Sequence, residues 1–130
     1  MKPEKVVFVD ESLEKSFAKL DKGDPLKKGL IKAIKEVQEN SFVGRSVKKR
    51  LIPKKIIENY KINNLWIYNL PNGWRMLYVL TSSEIRIIAV VLDWMNHKDY
   101  EKLFKFWRGV YLIFSKSLLF SGFEKVGEWV

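Results

Sequence analysis

One arginine and the only histidine of the chain are residue types that could together handle a phosphate. Arg75 follows the turn residues Pro71-Asn72-Gly73, and His97 follows a long apolar segment. A guanidinium can hold a phosphate oxygen pair with two parallel hydrogen bonds and keeps its charge at any physiological pH. An imidazole titrates near neutrality and can transfer a proton or hold a phosphate. Tyr100, three residues after His97, could stack on a base or donate a hydrogen bond.

These three residues are candidates for metal-free cleavage of RNA. That reaction needs activation of the ribose 2′-hydroxyl, stabilisation of the extra negative charge, and a proton for the departing 5′-oxygen. We expect Arg75 to stabilise the charge and His97 to act as general acid or base. The base stays open between His97 itself, Glu58 and a basic residue of the segment 44–61. Structural roles are also open: Arg75 could pair with Asp93, His97 could cap a helix, and Tyr100 could be a core aromatic.

The charge of the chain favours a polyanionic partner. The 130 residues carry 24 Lys and Arg against 15 Asp and Glu, which gives a formal net charge of +9. Six of these positive charges fall within eleven residues that contain no acidic residue, and they are the predicted RNA-binding residues: Arg45, Lys48, Lys49, Arg50, Lys54 and Lys55. Anionic membranes and acidic proteins are alternative partners, and the run could also be a solvated face.

Several classes of site are excluded by composition. The chain has no cysteine and one histidine, so it has neither disulfides nor a thiolate or histidine zinc site, and we expect no metal and no cofactor. The first residues lead directly to a predicted strand without an apolar signal region, and Arg108 and Lys116 interrupt the most apolar later stretch. We therefore expect a cytoplasmic protein with no membrane association.

Hydrophobic periodicity predicts the elements that must position the candidate residues. Val6 to Val9 is a predicted strand, and two helices follow, with Asp10 as the N-cap of the first and Asp24-Pro25 at the start of the second. The second helix has its apolar residues at helical spacing: Leu26, Leu30, Ile31, Ile34 and Val37. Three consecutive antiparallel strands are then predicted over Asn64 to Leu70, Trp74 to Thr81 and Ile85 to Leu92, with a helix over Lys98 to Trp107. Trp66, Tyr68, Trp74 and Trp94 are interpreted as core and sheet aromatics, not as a platform for bases.

The order of these elements and three segments resemble the RelE/ParE superfamily of toxins from type II toxin-antitoxin systems. The segments are Gly-Trp-Arg-Met-Leu-Tyr at 73–78, Ile-Arg-Ile-Ile-Ala-Val-Val-Leu-Asp-Trp at 85–94 and His-Lys-Asp-Tyr-Glu-Lys-Leu-Phe at 97–104. The resemblance covers Lys5 to Phe104. It implies an α+β fold of RelE-like arrangement, with an N-terminal strand, a helical hairpin, an antiparallel sheet and a C-terminal helix.

The resemblance also implies an activity and partners. A RelE-like toxin is an endoribonuclease that cleaves messenger RNA on the ribosome, an mRNA interferase, and a cognate antitoxin protein neutralises it. Arg75 matches the family's strand arginine, and His97 and Tyr100 fall where members carry catalytic His, Arg or Tyr. Members that use strand lysines as the base would place them near Ile67 and Asn69, and this chain has none there. A non-enzymatic ParE-like gyrase poison and a catalytically lapsed RNA- or ribosome-binding protein are the alternatives.

The length suits one compact domain. We assign residues 1–107 to the RelE-like domain and residues 108–130 to a C-terminal extension. The extension contains Val110-Tyr111-Leu112-Ile113-Phe114, which would otherwise form an exposed apolar patch. We expect it to pack on the domain or to form a homodimer contact.

Overall fold

The computed structural model describes residues 1–83 and 86–104, which form an α+β fold around one five-stranded mixed sheet. The elements in chain order are β1 (Lys5–Phe8), α1 (Glu11–Lys19), α2 (Pro25–Glu39), β2 (Arg45–Ser46), α3 (Lys54–Tyr60), β3 (Trp66–Asn69), β4 (Arg75–Ser83), β5 (Arg86–Met95) and α4 (97–104). Two short 3₁₀ turns lie at Lys49–Leu51 and Pro71–Gly73. The predicted α+β class is thus confirmed.

The strand order in the sheet is β1-β5-β4-β3-β2. β1 runs parallel to β5, and all other neighbours are antiparallel. The prediction of three consecutive antiparallel strands is confirmed for β3, β4 and β5. β3 is shorter than predicted, and β5 continues to Met95, three residues beyond the predicted end. This extension matters for the site because it pairs Met95 with Arg75.

Side-chain alternation along β4 separates two apolar cores, one on each face of the sheet. Met76 and Tyr78 face the helices α1 and α2, and α2 contributes Leu30, Ala33 and Val37 to that core. Leu77 and Val79 face the opposite way and pack with Ile56 of α3 and with Tyr100 and Phe104 of α4. The sheet is therefore covered by a helical hairpin on one face and by α3 and α4 on the other.

The helical hairpin begins at the predicted caps. The Asp10 carboxylate accepts from the Leu13 N–H at 2.8 Å, and the Asp24 carboxylate accepts from the Leu26 N–H at 2.9 Å. One expectation for α2 is wrong: Ile31 is 40% exposed and does not join the core. It follows Leu30 by one residue, about 100° around the helix, so the two side chains cannot both point at the sheet.

Two elements lie within the basic segment 44–61. α3 follows Pro53, and the two-residue strand β2 adds an edge to the sheet by pairing Arg45 with Ile67 and Ser46 with Trp66. The predicted C-terminal helix is described through residue 104, and the predicted roles of residues 108–130, including a homodimer contact, lie outside the described residues. No helix in the described part of the chain is long and apolar enough to cross a membrane.

Candidate functional site

The turn between β3 and β4 brings the start of α4 close to the sheet. Asn72 has φ 59° and Gly73 has φ 80°, the left-handed conformations that asparagine and glycine tolerate best. A Cβ atom on Gly73 would lie 3.2 Å from Cβ of His97. Glycine at this position thus serves both the turn and the close approach of His97.

Arg75 is the first residue of β4 and lies half-buried beneath this turn. Its Nη1 donates to the carbonyl oxygens of Gly73 at 2.7 Å and Trp74 at 3.3 Å, and the guanidinium lies 5.0 Å from the centre of the Tyr100 ring. Its Nε is buried and has no hydrogen-bond partner. Because a buried donor without a partner costs free energy, a ligand oxygen that reached this edge of the guanidinium would gain a hydrogen bond at little desolvation cost.

The alternative pairing of Arg75 with Asp93 is not formed. Asp93 Oδ1 instead accepts from the Trp94 N–H at 2.8 Å, and no ion pair joins Arg75 and Asp93 among the described residues. Burial raises the pKa of Asp93, the Trp94 N–H lowers it, and the charges of Asp10 and Asp99 raise it further. Arg75 therefore keeps its charge available for another anion.

Tyr100 lies below Arg75 and is 1% exposed. Its ring packs on Phe104 with centroids 4.8 Å apart. Burial raises the pKa of the Tyr100 phenol, while the positive charges of Arg45 and Arg75 and a hydrogen bond from Arg45 lower it. A ring this deeply buried has no open face for a base, which favours the core-aromatic role for Tyr100. The Arg75 guanidinium lies on the ring, and the Arg45 guanidinium is hydrogen-bonded to the phenol.

Arg45 is the second of these guanidiniums, and β2 positions it. The register pairs Arg45 with Ile67 and Asn69 with Arg75, so Arg45, Asn69 and Arg75 share one face of the sheet. Arg45 Nη2 donates to Asn69 Oδ1 at 3.5 Å, at the limit for a hydrogen bond. The sequence assigned Arg45 to the basic run and not to a pair with Arg75. Only the pairing of β2 with β3 reveals this proximity.

His97 is exposed at the start of α4 and adds an acid-base group beside the turn. Its Nε2 lies 3.4 Å from Oε1 of Glu101 one helical turn later, with the two side chains 57% and 33% exposed. Protonated His97 would form an ion pair with Glu101, and neutral His97 could donate a hydrogen bond to it. Sequence reasoning missed Glu101, although its i, i+4 spacing from His97 on a predicted helix is a usable signal.

The strand that precedes the turn supplies no proton acceptor. Ile67 is 1% exposed and belongs to the core, and Asn69 accepts from Arg45. Glu58, another candidate base, lies exposed on α3 and makes no described contact with Arg75 or His97. His97 and Glu101 are thus the described side chains beside the turn that could accept a proton, and a basic residue of the segment 44–61 stays open as the base.

The basic run lies along β2, the following 3₁₀ turn and the first turn of α3. Val47, Leu51 and Ile52 anchor this segment in the core, and its exposed positions carry the charges: Lys48, Lys49, Arg50, Lys54 and Lys55. Lysines in the first turn oppose the helix dipole, so Lys54 and Lys55 do not serve the stability of α3. Lys55 also lines a cavity of about 510 Å³ together with Asp93 and Asp99. The run therefore extends the positive charge of Arg45 along the surface.

Comparison of the chain with protein-family models, with curated proteins and with solved structures found no match in any of the three.

Proposed function

We propose that the protein is a RelE-like toxin, a ribosome-dependent endoribonuclease that cleaves messenger RNA in the cytoplasm and is neutralised by a cognate antitoxin. The observation that carries this proposal is the placement of Arg75 and Arg45 at the buried Tyr100 side chain, with His97 beside the adjoining turn. Two guanidiniums and a nearby imidazole are groups that charge stabilisation and proton transfer at a phosphodiester require.

The reaction that fits these groups needs no metal. The ribose 2′-oxygen attacks phosphorus, the bond to the 5′-oxygen breaks, and the products are a cyclic phosphate and a free 5′-hydroxyl. Arg75 and Arg45 stabilise the negative charge that gathers on the non-bridging oxygens. His97 transfers a proton at one of the two ribose oxygens. Glu101 holds the imidazole and is the best-placed partner for the second proton transfer.

The resemblance in sequence is the basis for the proposed family, and the α+β fold is compatible with it. A strand, a helical hairpin, antiparallel strands and α4 follow one another in the order expected from the resemblance. β2 and α3 are additional to the elements predicted from the resemblance. In this proposal β2 and α3 bring Arg45 and the basic run to the substrate. They thereby supply positive charge that other members of the family would obtain from strand lysines.

A second candidate is a protein of the same fold that binds RNA or ribosomes without cleaving. The absence of a proton acceptor on β3, with Ile67 in the core, favours it. Both candidates predict RNA binding through the arginine pair. They differ only in whether messenger RNA is cut.

Expression of the chain without its antitoxin tests the proposal. We expect growth arrest together with new 5′ ends within translated messenger RNA, mapped by primer extension, and co-purification with the product of a short reading frame adjacent to the gene. Intact messenger RNA on ribosomes that nevertheless bind the protein would reject the nuclease and leave the binding protein. A harmless chain that binds no ribosomes would reject both.

A further inference from the structure

Phe42 presents an aromatic ring to solvent at the end of a stack of three aromatic side chains. It lies on Trp66 with ring centroids 5.4 Å apart and an interplanar angle of 30°. Trp66 in turn lies on Tyr78 at 6.2 Å and 24°. Phe42 is 46% exposed, although the other two rings are partly or fully buried. Because Trp66 covers one face of the Phe42 ring, the other face is the part that a ligand could contact.

The loop that carries Phe42 is held by a network of hydrogen bonds. The Tyr78 hydroxyl donates to the Ser41 carbonyl oxygen and accepts from the Gly44 N–H, each at 2.9 Å. Ser41 Oγ donates to the Met1 carbonyl oxygen at 2.6 Å, and the Phe42 N–H donates to Asn40 Oδ1 at 3.1 Å. The ring is therefore fixed before any ligand arrives, and a ligand that stacked on it would lose little entropy of the protein.

The charges next to Phe42 indicate what kind of ligand the ring suits. Arg45 follows three residues later, and Lys48, Lys49 and Arg50 continue the chain along the same edge of the sheet. Arg45 and Ser46 alternate on β2, and Ser46 pairs with Trp66. The arginine pair and the aromatic stack thus lie on opposite faces of one sheet edge. An aromatic face beside a cationic track is the usual arrangement of sites for single-stranded nucleic acid.

We propose that Phe42 is a base-stacking site for single-stranded RNA whose backbone follows the basic run around the β2 edge. The inference rests on the proposed function for the choice of RNA as ligand, and it does not depend on cleavage. A protein partner is the competing occupant, because Val43 and Ile31 are also exposed apolar residues in this region, beside α2. The positive charges that flank Phe42 favour the nucleic acid.

The test compares binding of two probes to the full chain at fixed salt: a short oligoadenylate and an abasic oligonucleotide of the same length. We expect the wild type to bind oligoadenylate more tightly. Phe42→Ala should remove that preference and lower the affinity for oligoadenylate by about fivefold to a hundredfold, the range for loss of one base–aromatic stack. Phe42→Trp should retain the preference, since indole also stacks. Val43→Ala and Ile31→Ala are matched controls and should bind like the wild type.

Other outcomes overturn the proposal in distinguishable ways. Equal affinity of the wild type for both probes, or unchanged oligoadenylate binding by Phe42→Ala, would show that the ring contacts no base. A similar loss in Phe42→Ala, Val43→Ala and Ile31→Ala would show that the effect is not specific to the aromatic ring and would overturn the stacking site. Oligoadenylate binding that depends on Phe42 in a protein that never cuts messenger RNA would uphold the stacking site and reject the nuclease alone.

Discussion

Arg75 combines features that a purely structural arginine would not need. Its guanidinium lies on the Tyr100 ring, a contact worth about 0.5–2 kcal/mol. Its buried Nε has no hydrogen-bond partner, which costs about 1–3 kcal/mol. Nη1 also donates to the Gly73 and Trp74 carbonyl oxygens, so Arg75 supports the turn while its Nε stays unpaired. The unpaired Nε is the basis of the first prediction, in which Arg75 holds an anion.

Arg75→Ala and His97→Ala should each reduce cleavage of messenger RNA on ribosomes by roughly a hundredfold or more, because one loses charge stabilisation and the other proton transfer. Arg75→Lys should recover only part of the loss, since an ammonium cannot give two parallel hydrogen bonds. Cleavage is measured with purified ribosomes and full-length variants. Arg86→Ala is the control, because Arg86 pairs with Glu4 at the far end of β5. Equal losses in all variants would indicate a general charge effect.

Gly73 permits a second prediction at the scale of one residue. Gly73→Ala should lower the free energy of unfolding by about 1–2 kcal/mol, the cost of a side chain in a left-handed conformation. It should also reduce cleavage, because the new Cβ would lie 3.2 Å from Cβ of His97 and push α4 away from the turn. Urea unfolding and ribosome cleavage measure the two effects.

Gly23→Ala is the matched control for this change. Gly23 has no heavy atom within 4 Å of an added Cβ. The free energy of unfolding of that variant should equal or slightly exceed that of the wild type. If Gly73→Ala were as stable and active as Gly23→Ala, the turn would not position His97.

At the scale of elements, alternation on either side of the turn residues 71–73 predicted β3 and β4, and an almost entirely branched aliphatic composition predicted β5. Met76 and Tyr78 had to face away from Leu77 and Val79, and the structure places them in separate cores. β2 could not be predicted, since a two-residue strand has no periodicity and exists only because it pairs with β3. The proximity of Arg45 to Arg75, thirty residues apart, depends on that pairing. The sequence therefore predicted only part of the candidate site, namely Arg75, His97 and the turn.

The basic run on β2 and α3 should act as one electrostatic element. Reversing Lys48, Lys49 and Arg50 to Glu should weaken binding to many RNA sequences about equally and should flatten its dependence on salt, because fewer counterions are released. Filter binding over a salt series measures both effects. The control is the triple reversal of Lys19, Lys22 and Lys28, three exposed lysines of the helical hairpin, which makes the same change in net charge on the other face of the sheet.

If the two triple variants lost affinity equally, net charge alone would drive binding, and the run would be a solvated face. A larger loss for the run, with the same fold by circular dichroism, would show that the RNA contacts the run itself.

At the scale of the whole molecule, one half-buried carboxylate opposes the excess of positive charge. Asp93 lines a cavity between α3 and α4, and burial followed by the charges of Asp10 and Asp99 raises its pKa above 3.8, although the Trp94 N–H lowers it. The folded protein thus binds this proton more tightly than the unfolded chain. The contribution of Asp93 to stability is present below about 3.8 and is lost as the pH rises through the pKa of the folded state.

Asp93→Asn should therefore raise the free energy of unfolding at neutral pH and change it less near the unfolded pKa of 3.8. The amide oxygen can still accept from the Trp94 N–H, so the substitution removes the charge and keeps the hydrogen bond.

Asp93→Asn also raises a net charge that is already +9, and self-repulsion would destabilise the fold. Salt screens charges that lie more than about 10 Å apart, so the desolvation cost of the Asp93 carboxylate should exceed the cost of this repulsion. Asp21→Asn, at an exposed position between α1 and α2, makes the same change in net charge and isolates the repulsion. Urea unfolding of both variants across pH decides between the two effects. An increase in the free energy of unfolding at neutral pH that is confined to Asp93→Asn supports burial as the cause. Equal changes in both variants would assign the effect to net charge.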